Sequence, residues 1–107
     1  MNRFLEMAID VAATSKCRYR HGCVVVANGV VVAEATNKKL RTADSNNWRI
    51  AHVHAEEAAI AAAGARARGA TVYVARVSKD GTPALSKPCK RCERRLARTG
   101  VAKVVWT

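Results

Sequence analysis

Residues 22–37 read GCVVVANGVVVAEATN, and this stretch is the strongest indication of the fold in the sequence. Two valine-rich runs flank Asn28-Gly29, a dipeptide that favours the positive φ angles of a two-residue hairpin turn. The stretch is therefore predicted to form two antiparallel strands. Because the run from Val24 to Val26 is apolar without alternation, we expect the first strand to be covered on both faces.

The segments on either side of this hairpin predict further helices and strands. Apolar residues at helical spacing ahead of it indicate a helix capped by Asn2. Residues 37–50 behind it are polar and irregular, and they are predicted to form a loop of the kind that often carries function. The predicted order is helix, strand, strand, helix, strand, helix, strand. This order favours a mixed α/β domain with helices on both faces of one sheet.

Two of the predicted helices have clear ends. The alanine-rich helix that follows the polar loop is expected to stop at Gly64. The last helix is predicted to start at Pro88, a residue that is tolerated in a first helical turn, and to end at Gly100. This start places Cys89 and Cys92 in the first turn of the helix.

The composition limits the class of protein. A chain of 107 residues, of which 50% are apolar, is long enough for one domain with a modest core. The first residues do not resemble a signal peptide, and no run approaches the ~18 apolar residues of a membrane span. A cytoplasmic location without membrane association is therefore predicted. In that compartment the 4 cysteines are expected to be thiols or metal ligands, not disulfides.

The charge is strongly basic and clustered. Lys and Arg number 19 against 8 Asp and Glu, which gives a net charge of +11. Such a field attracts polyanions, although a solvated basic surface is the ordinary alternative. Like charges at i, i+4 on a helix destabilise it, so we expect nearby phosphates to offset the cost in the last helix. The basic residues of this segment, which runs from just ahead of the helix to its end, are Lys87, Lys90, Arg91, Arg94, Arg95 and Arg98.

The cysteine pair raises the question of which kind of site it completes. Cys89 and Cys92 lie three residues apart at a helix start, where thiolates and metal binding are favoured. Two thiolates need a third ligand, and the best candidate is His54, at the start of the alanine-rich helix. Three protein ligands leave one position for water, as in a catalytic zinc site. Glu56, two residues after the histidine, is placed to move that water's proton.

Several neighbouring residues have more than one interpretation. Glu56 alternatively complements the helix dipole, and Glu57 is interpreted as a surface carboxylate. His52 is a fourth ligand, a substrate contact or a loop histidine bonded to the backbone. Cys23 is interpreted as a small buried strand residue and Cys17 as a free loop thiol.

Aromatic side chains add three further possibilities. His21 is assigned to turn packing rather than to the pocket. Trp48 precedes the metal-binding helix and either stacks on a base or anchors its loop. Trp106, on the last strand, belongs to the core or to a contact between subunits, so homo-oligomerisation is possible.

Two motifs carry a family resemblance. HAE at residues 54–56 and PCKRC at residues 88–92, which starts 34 residues after the histidine, resemble the signature of the zinc-dependent cytidine deaminase superfamily. The order of the elements fits that family over nearly the whole chain. The resemblance implies a single zinc-dependent deaminase-like domain over residues 1–107. Its fold would be a three-layer α/β/α arrangement, with a mixed sheet of about four strands and helices on both faces.

The resemblance also implies roles for single residues. His54, Cys89 and Cys92 would bind zinc, and Glu56 would be the catalytic proton shuttle. Asn37 and the backbone N–H of Ala55 would contact the substrate. The remaining candidate substrate contacts are Trp48, His52, Ser86 and Lys87.

The function implied by this resemblance is the hydrolytic deamination of a nucleobase, with cytosine converted to uracil. The basic charge favours a phosphorylated substrate and, among these, single-stranded nucleic acid. One alternative is a free cytidine or dCMP deaminase of pyrimidine salvage, and another is deamination of adenine. The last is a non-catalytic zinc module that binds nucleic acid. It would need a fourth protein ligand, such as His52 or Cys17, and would leave Glu56 without a role.

Overall fold

The computed structural model describes residues 2–44 and 47–107, and the side chains of residues 41–51 lie outside this description. A short 3₁₀ turn, Gly64–Ala67, follows the second helix. No helix in the described part of the chain is long and apolar enough to cross a membrane. The elements in chain order are α1 (Arg3–Ala13), β1 (Arg20–Ala27), β2 (Val30–Thr36), β3 (Lys38–Asp44), β4 (Asn47–Val53), α2 (Ala55–Ala63), β5 (Thr71–Val77), β6 (Pro83–Ala84), α3 (Lys90–Arg98) and β7 (Lys103–Trp106).

The main sheet is mixed, as predicted. Its strands run in the order β2, β1, β5, and both β6 and β7 pair with the far edge of β5. The β5–β7 pair is parallel, and the other pairs are antiparallel. The two-residue strand β6 brings this sheet to five strands, against about four predicted.

The central hairpin forms where the sequence predicts it. Ala27 pairs with Val30, so two residues make the turn between β1 and β2. Both have positive φ angles, 52° at Asn28 and 76° at Gly29, which match the right-handed twist of the flanking strands. Val24 and Val25 are fully buried, which confirms that β1 is covered on both faces.

Helices cover the two faces of the sheet and make three layers. The helix α1, capped by Asn2 as predicted, packs Leu5 and Ala8 on one face. On the other face Ile60 of α2 and Leu96 of α3 pack on alternate residues of β1 and β5. Gly22 lets β1 approach α1 closely, because a Cβ there would lie 2.5 Å from the carbonyl oxygen of Ala8.

The predicted loop over residues 37–50 is wrong. Strands β3 and β4 occupy this segment and pair with each other in a separate two-stranded sheet. Its polar and charged residues do not show the apolar alternation by which strands are recognised in a sequence. Antiparallel pairing satisfies backbone hydrogen bonds whatever the side chains, so polarity alone does not exclude a hairpin.

The cysteine helix begins two residues later than predicted. Its N-cap is Cys89 and its first residue is Lys90, so Pro88 lies just outside the helix. Cys92 alone of the two cysteines lies within the first turn. The helix ends before Gly100, whose φ of 80° suits a residue without a side chain.

Candidate active site

Two helix starts bring the three predicted metal ligands together. His54 is the N-cap of α2, and Cys89 is the N-cap of α3. The His54 Nδ1 atom lies 3.2 Å from the Cys92 Sγ atom and 3.8 Å from the Cys89 Sγ atom. All three ligand atoms lie within 4.8 Å of one another. The fold thus unites residues that are 35 and 38 positions apart in the sequence.

The donor set fits zinc. A tetrahedral ion with Zn–S bonds near 2.3 Å and Zn–N bonds near 2.0 Å separates its nitrogen and sulfur ligands by about 3.6 Å. The two measured distances lie on either side of this value. Among the described residues the cluster has three members, and neither His52 nor Cys17 belongs to it. Such a set would leave the fourth position of a bound tetrahedral ion open.

Glu56 lies beside this cluster, and both line one cavity. Glu56 is only 5% exposed to solvent. Burial, followed by the charge of Glu56, raises the pKa of the Cys92 thiol well above its usual range. The same two causes raise the pKa of Cys23, which is a buried strand residue as predicted. A bound cation would replace the thiol proton and compensate for this local negative charge.

The cavity next to the cluster has a volume of about 280 Å³. Polar and titratable side chains make up much of its wall, as in many small-molecule sites. The residues that line it are His21, Asn37, Lys38, His52, Val53, His54, Glu56 and Cys89.

Asn37 lines the cavity but also holds the neighbouring loop. Its Oδ1 atom accepts hydrogen bonds from the Ser15 Oγ at 2.7 Å and from the His21 backbone N–H at 3.0 Å. Its Nδ2 atom donates to the Tyr19 carbonyl at 2.6 Å. These bonds tie the end of β2 to the segment between α1 and β1. One amide hydrogen of Asn37 has no part in them.

Two further histidines, His21 and His52, line this cavity. His52 is exposed and lines the cavity, so it stays a candidate substrate contact. His21 also lines the cavity, whereas the sequence prediction assigned it to turn packing. Burial, then the charges of Arg76 and His54, lower the pKa of His21, which favours its neutral imidazole. His21 is the second residue of β1, and its place beside the predicted first strand was the sequence signal for this position.

The remaining predicted substrate contacts have other surroundings. Ser86 is buried outside the cavity lining, where its Oγ donates to the Val74 carbonyl at 2.9 Å. Lys87 is exposed and is not part of that lining either. Ala55 is fully buried as the first residue of α2. Trp48 lies in β4, and its side chain falls outside the described residues.

Glu57 has a partner set that the sequence prediction missed. It accepts a hydrogen bond from the His54 backbone N–H at 3.3 Å, and the same oxygen forms an ion pair with Arg91 at 2.8 Å. Its second oxygen pairs with Arg95. Burial alone raises the pKa of Glu57, but these three donors together hold it below its usual value. The spacing of the two arginines, one helical turn apart, was the only sequence signal for this contact.

A second cavity, of about 410 Å³, adjoins the first. The two cavities share Asn37 and Lys38 in their walls. The second also presents Lys16 and Lys39, and none of the described residues that line it is acidic. Three lysines among the lining residues favour an anion. Its other lining residues are Thr14, Cys17, Thr36 and Leu40.

Comparison with known proteins identifies the family of this chain. Residues 1–107 match the family described as "Cytidine and deoxycytidylate deaminase zinc-binding region". The predicted resemblance to a zinc-dependent deaminase family and its zinc cofactor are thereby confirmed. The riboflavin biosynthesis protein RibD of Haemophilus influenzae is 31% identical over 112 residues, which cover 95% of this chain and 25% of that protein.

Solved structures confirm the three-layer fold. RibD of Acinetobacter baumannii (form 2) superposes with a TM-score of 0.63 and 26% identity over 98% of this chain and 27% of its own. The dCMP deaminase of the cyanophage S-TIM5, in its apo form, gives a TM-score of 0.70 and 22% identity over 97% of this chain and 79% of its own. The chain thus spans about a quarter of the RibD proteins that it matches.

Proposed function

The chain belongs to the cytidine and deoxycytidylate deaminase zinc-binding family. We propose that it hydrolytically deaminates a pyrimidine base of a phosphorylated substrate, with cytosine as the first candidate base. One observation carries this proposal. A buried carboxylate, Glu56, faces the same cavity as a metal cluster with three protein ligands. A structural zinc site closes all four positions and needs no such carboxylate.

The chain's own residues divide the work. His54, Cys89 and Cys92 would hold the zinc ion, and bound zinc would supply a water molecule of lowered pKa as the nucleophile. Glu56 accepts a proton from the water and passes it to the ring nitrogen. The same carboxylate then delivers the second proton to the departing amine. Water and the aminopyrimidine are thus converted to the keto-pyrimidine and ammonia.

The cavity wall orients the ring. The backbone N–H of Ala55 belongs to the first turn of α2, where helix donors lack partners within the helix. We assign to this N–H group the binding of the pyrimidine carbonyl oxygen. The remaining amide hydrogen of Asn37 and the imidazole of His52 are available for the sugar or the base edge. Trp48 stays a candidate for stacking.

A phosphate on the substrate has a natural place in the second cavity. Lys38 lines both cavities, so the two cavities lie next to each other. A substrate whose ring occupies the cavity beside the metal cluster would then place its phosphate beside Lys16 and Lys39 in the second cavity. Lysine binds phosphate as a compact positive charge. This arrangement supports a free nucleotide or a similar phosphorylated pyrimidine as the first candidate substrate.

Single-stranded nucleic acid is the second candidate, because the net charge of +11 exceeds what one phosphate requires. Not all of this charge is available for a ligand, since Arg91 and Arg95 pair with Glu57. Lys90, Arg94 and Arg98 are exposed on the same helix and remain for a polyanion.

A competition experiment tests the proposal. Zinc-loaded protein receives dCMP, cytidine, adenosine and a cytosine-containing single-stranded oligonucleotide together, and mass spectrometry identifies each deaminated product. The Glu56→Ala variant is the control. Conversion of dCMP alone, lost in the variant, supports the first candidate, and conversion of the oligonucleotide alone supports the second. Conversion of none of the four contradicts deamination of cytosine by this chain.

A further inference from the structure

We propose that Glu57 is a positioning residue for the zinc centre. Its carboxylate holds the helix that carries the histidine ligand against the helix that carries both cysteine ligands. The inference rests on the proposed function only in assuming that His54, Cys89 and Cys92 bind the metal. It assigns to Glu57 a task separate from the proton transfer of Glu56.

Glu57 contacts both helix starts that carry the metal ligands, the start of α2 and the start of α3. One oxygen accepts from the His54 backbone N–H at 3.3 Å, directly on the ligand residue. The same oxygen accepts from Arg91, and the other pairs with Arg95. Arg91 lies between the two cysteine ligands in the sequence. A single carboxylate thus spans the two helix starts that together form the metal cluster.

The surroundings of Glu57 favour a fixed geometry over a loose surface pair. Its side chain is 12% exposed, whereas those of Arg91 and Arg95 are 59% and 57% exposed. Two arginines one turn apart repel each other, and Arg91 also faces the positive end of the helix dipole. The shared carboxylate offsets both costs. Outer residues that fix the orientation of metal ligands commonly change metal affinity when they are replaced.

Glu57 has no place in the chemistry itself. It is absent from the lining of the cavity that contains Glu56 and the metal cluster. Successive residues on a helix point about 100° apart, so the two neighbouring carboxylates face different partners. Glu56 faces the cavity and Glu57 faces α3.

Zinc affinity tests the inference without any substrate. The Glu57→Gln variant keeps the size of the side chain and loses its charge. Arg95→Gln removes one partner, and Arg94→Gln is the matched control. The adjacent Arg94 carries the same charge, and its Nε atom donates to the Lys90 carbonyl. Competition with a chromophoric chelator gives the zinc Kd, and the visible spectrum of the cobalt-substituted protein reports the ligand geometry.

We expect Glu57→Gln to raise the zinc Kd about tenfold and to shift the cobalt spectrum. Arg95→Gln should move both in the same direction by less, and Arg94→Gln should leave both unchanged. A zinc Kd within about twofold of the original in both Glu57→Gln and Arg95→Gln would overturn the inference. So would equal losses in Arg94→Gln and Arg95→Gln.

Two further measurements separate this inference from other failures. A purely structural ion pair would lower the urea stability of the zinc-free protein without changing the cobalt spectrum, which would also overturn the inference. If Glu57→Gln does not fold, the comparison of Arg95→Gln with Arg94→Gln decides. Failure to deaminate any substrate, together with a weakened zinc site in Glu57→Gln, would refute the proposed function and support the inference.

Discussion

The metal side of the cavity and its proposed substrate side are built in different ways. The metal side comes from the starts of α2 and α3, with Glu56 and Cys92 buried. The substrate side comes from the ends of β2 and β4 and the start of β3, where Lys38 and His52 are exposed. Helix starts in a packed core fix the catalytic groups, while exposed strand ends can change with the substrate. The same fold can therefore keep its metal-binding residues while the residues that contact the substrate change.

The largest expected effect comes from removing a ligand on the metal side. Cys89 is exposed, so Cys89→Ser should remove a thiolate without disturbing the core. We expect loss of stoichiometric zinc and of all deamination, measured by metal analysis and ammonia release. Cys17→Ser is the matched control, because Cys17 lies outside the cluster. Equal zinc loss in both variants would contradict this ligand assignment.

Replacing the proton shuttle should cost activity but not zinc. Glu56→Gln keeps the shape of the side chain and removes its ability to carry protons. We expect kcat to fall at least about 100-fold, because a positioned acid–base group contributes 10²–10⁴-fold. Steady-state kinetics at matched zinc content measures this effect. A kcat close to the original would show that another group moves the protons.

On the substrate side, the expected effect is smaller and depends on the substrate. Lys38→Ala should raise KM for dCMP about tenfold, the effect expected for one charge-assisted contact, with kcat nearly unchanged. KM for deoxycytidine should stay the same, since that molecule has no phosphate. Lys79→Ala, which removes a lysine outside both cavities, is the control. An equal change for both substrates would place the phosphate elsewhere.

The smallest effect concerns a turn that belongs to neither side of the cavity. Hydrogen bonds from Ser78, then from Thr82, lower the pKa of Asp80 to about 2. A lowered carboxyl pKa stabilises the folded state above the unfolded pKa near 3.9, and this contribution disappears as the pH falls towards about 2. Urea unfolding of zinc-free protein should show Asp80→Asn less stable at pH 6, with the difference shrinking towards pH 2.5. A pH-independent difference would contradict this explanation.

Local signals made much of the fold predictable. The turn residues Asn28 and Gly29 and the cap at Asn2 act within a few positions, so their consequences can be inferred directly. The β3–β4 hairpin was missed because its strands carry lysine, arginine, aspartate and asparagine, which are rare in strands. The backbone pairing of Lys39 with His52 leaves no pattern in such residues.

The site was predictable in its chemistry but not in its supporting contacts. Residue types and spacing, together with the family resemblance, pointed to His54, Cys89 and Cys92. Glu57 was interpreted as a surface carboxylate because its arginine partners lie 34 and 38 residues away. Ser86 was proposed as a substrate contact, but its hydroxyl bonds to Val74, a partner 12 residues away that no local pattern indicates.

The central claim is an open zinc site beside a carboxylate. A crystal structure of the zinc-loaded protein, with anomalous difference maps at the zinc edge, tests this claim most directly. We expect one zinc ion bound by His54, Cys89 and Cys92, with a non-protein oxygen in the fourth position near Glu56. A fourth protein ligand, or a zinc ion bound elsewhere in the chain, would contradict a catalytic role for this site.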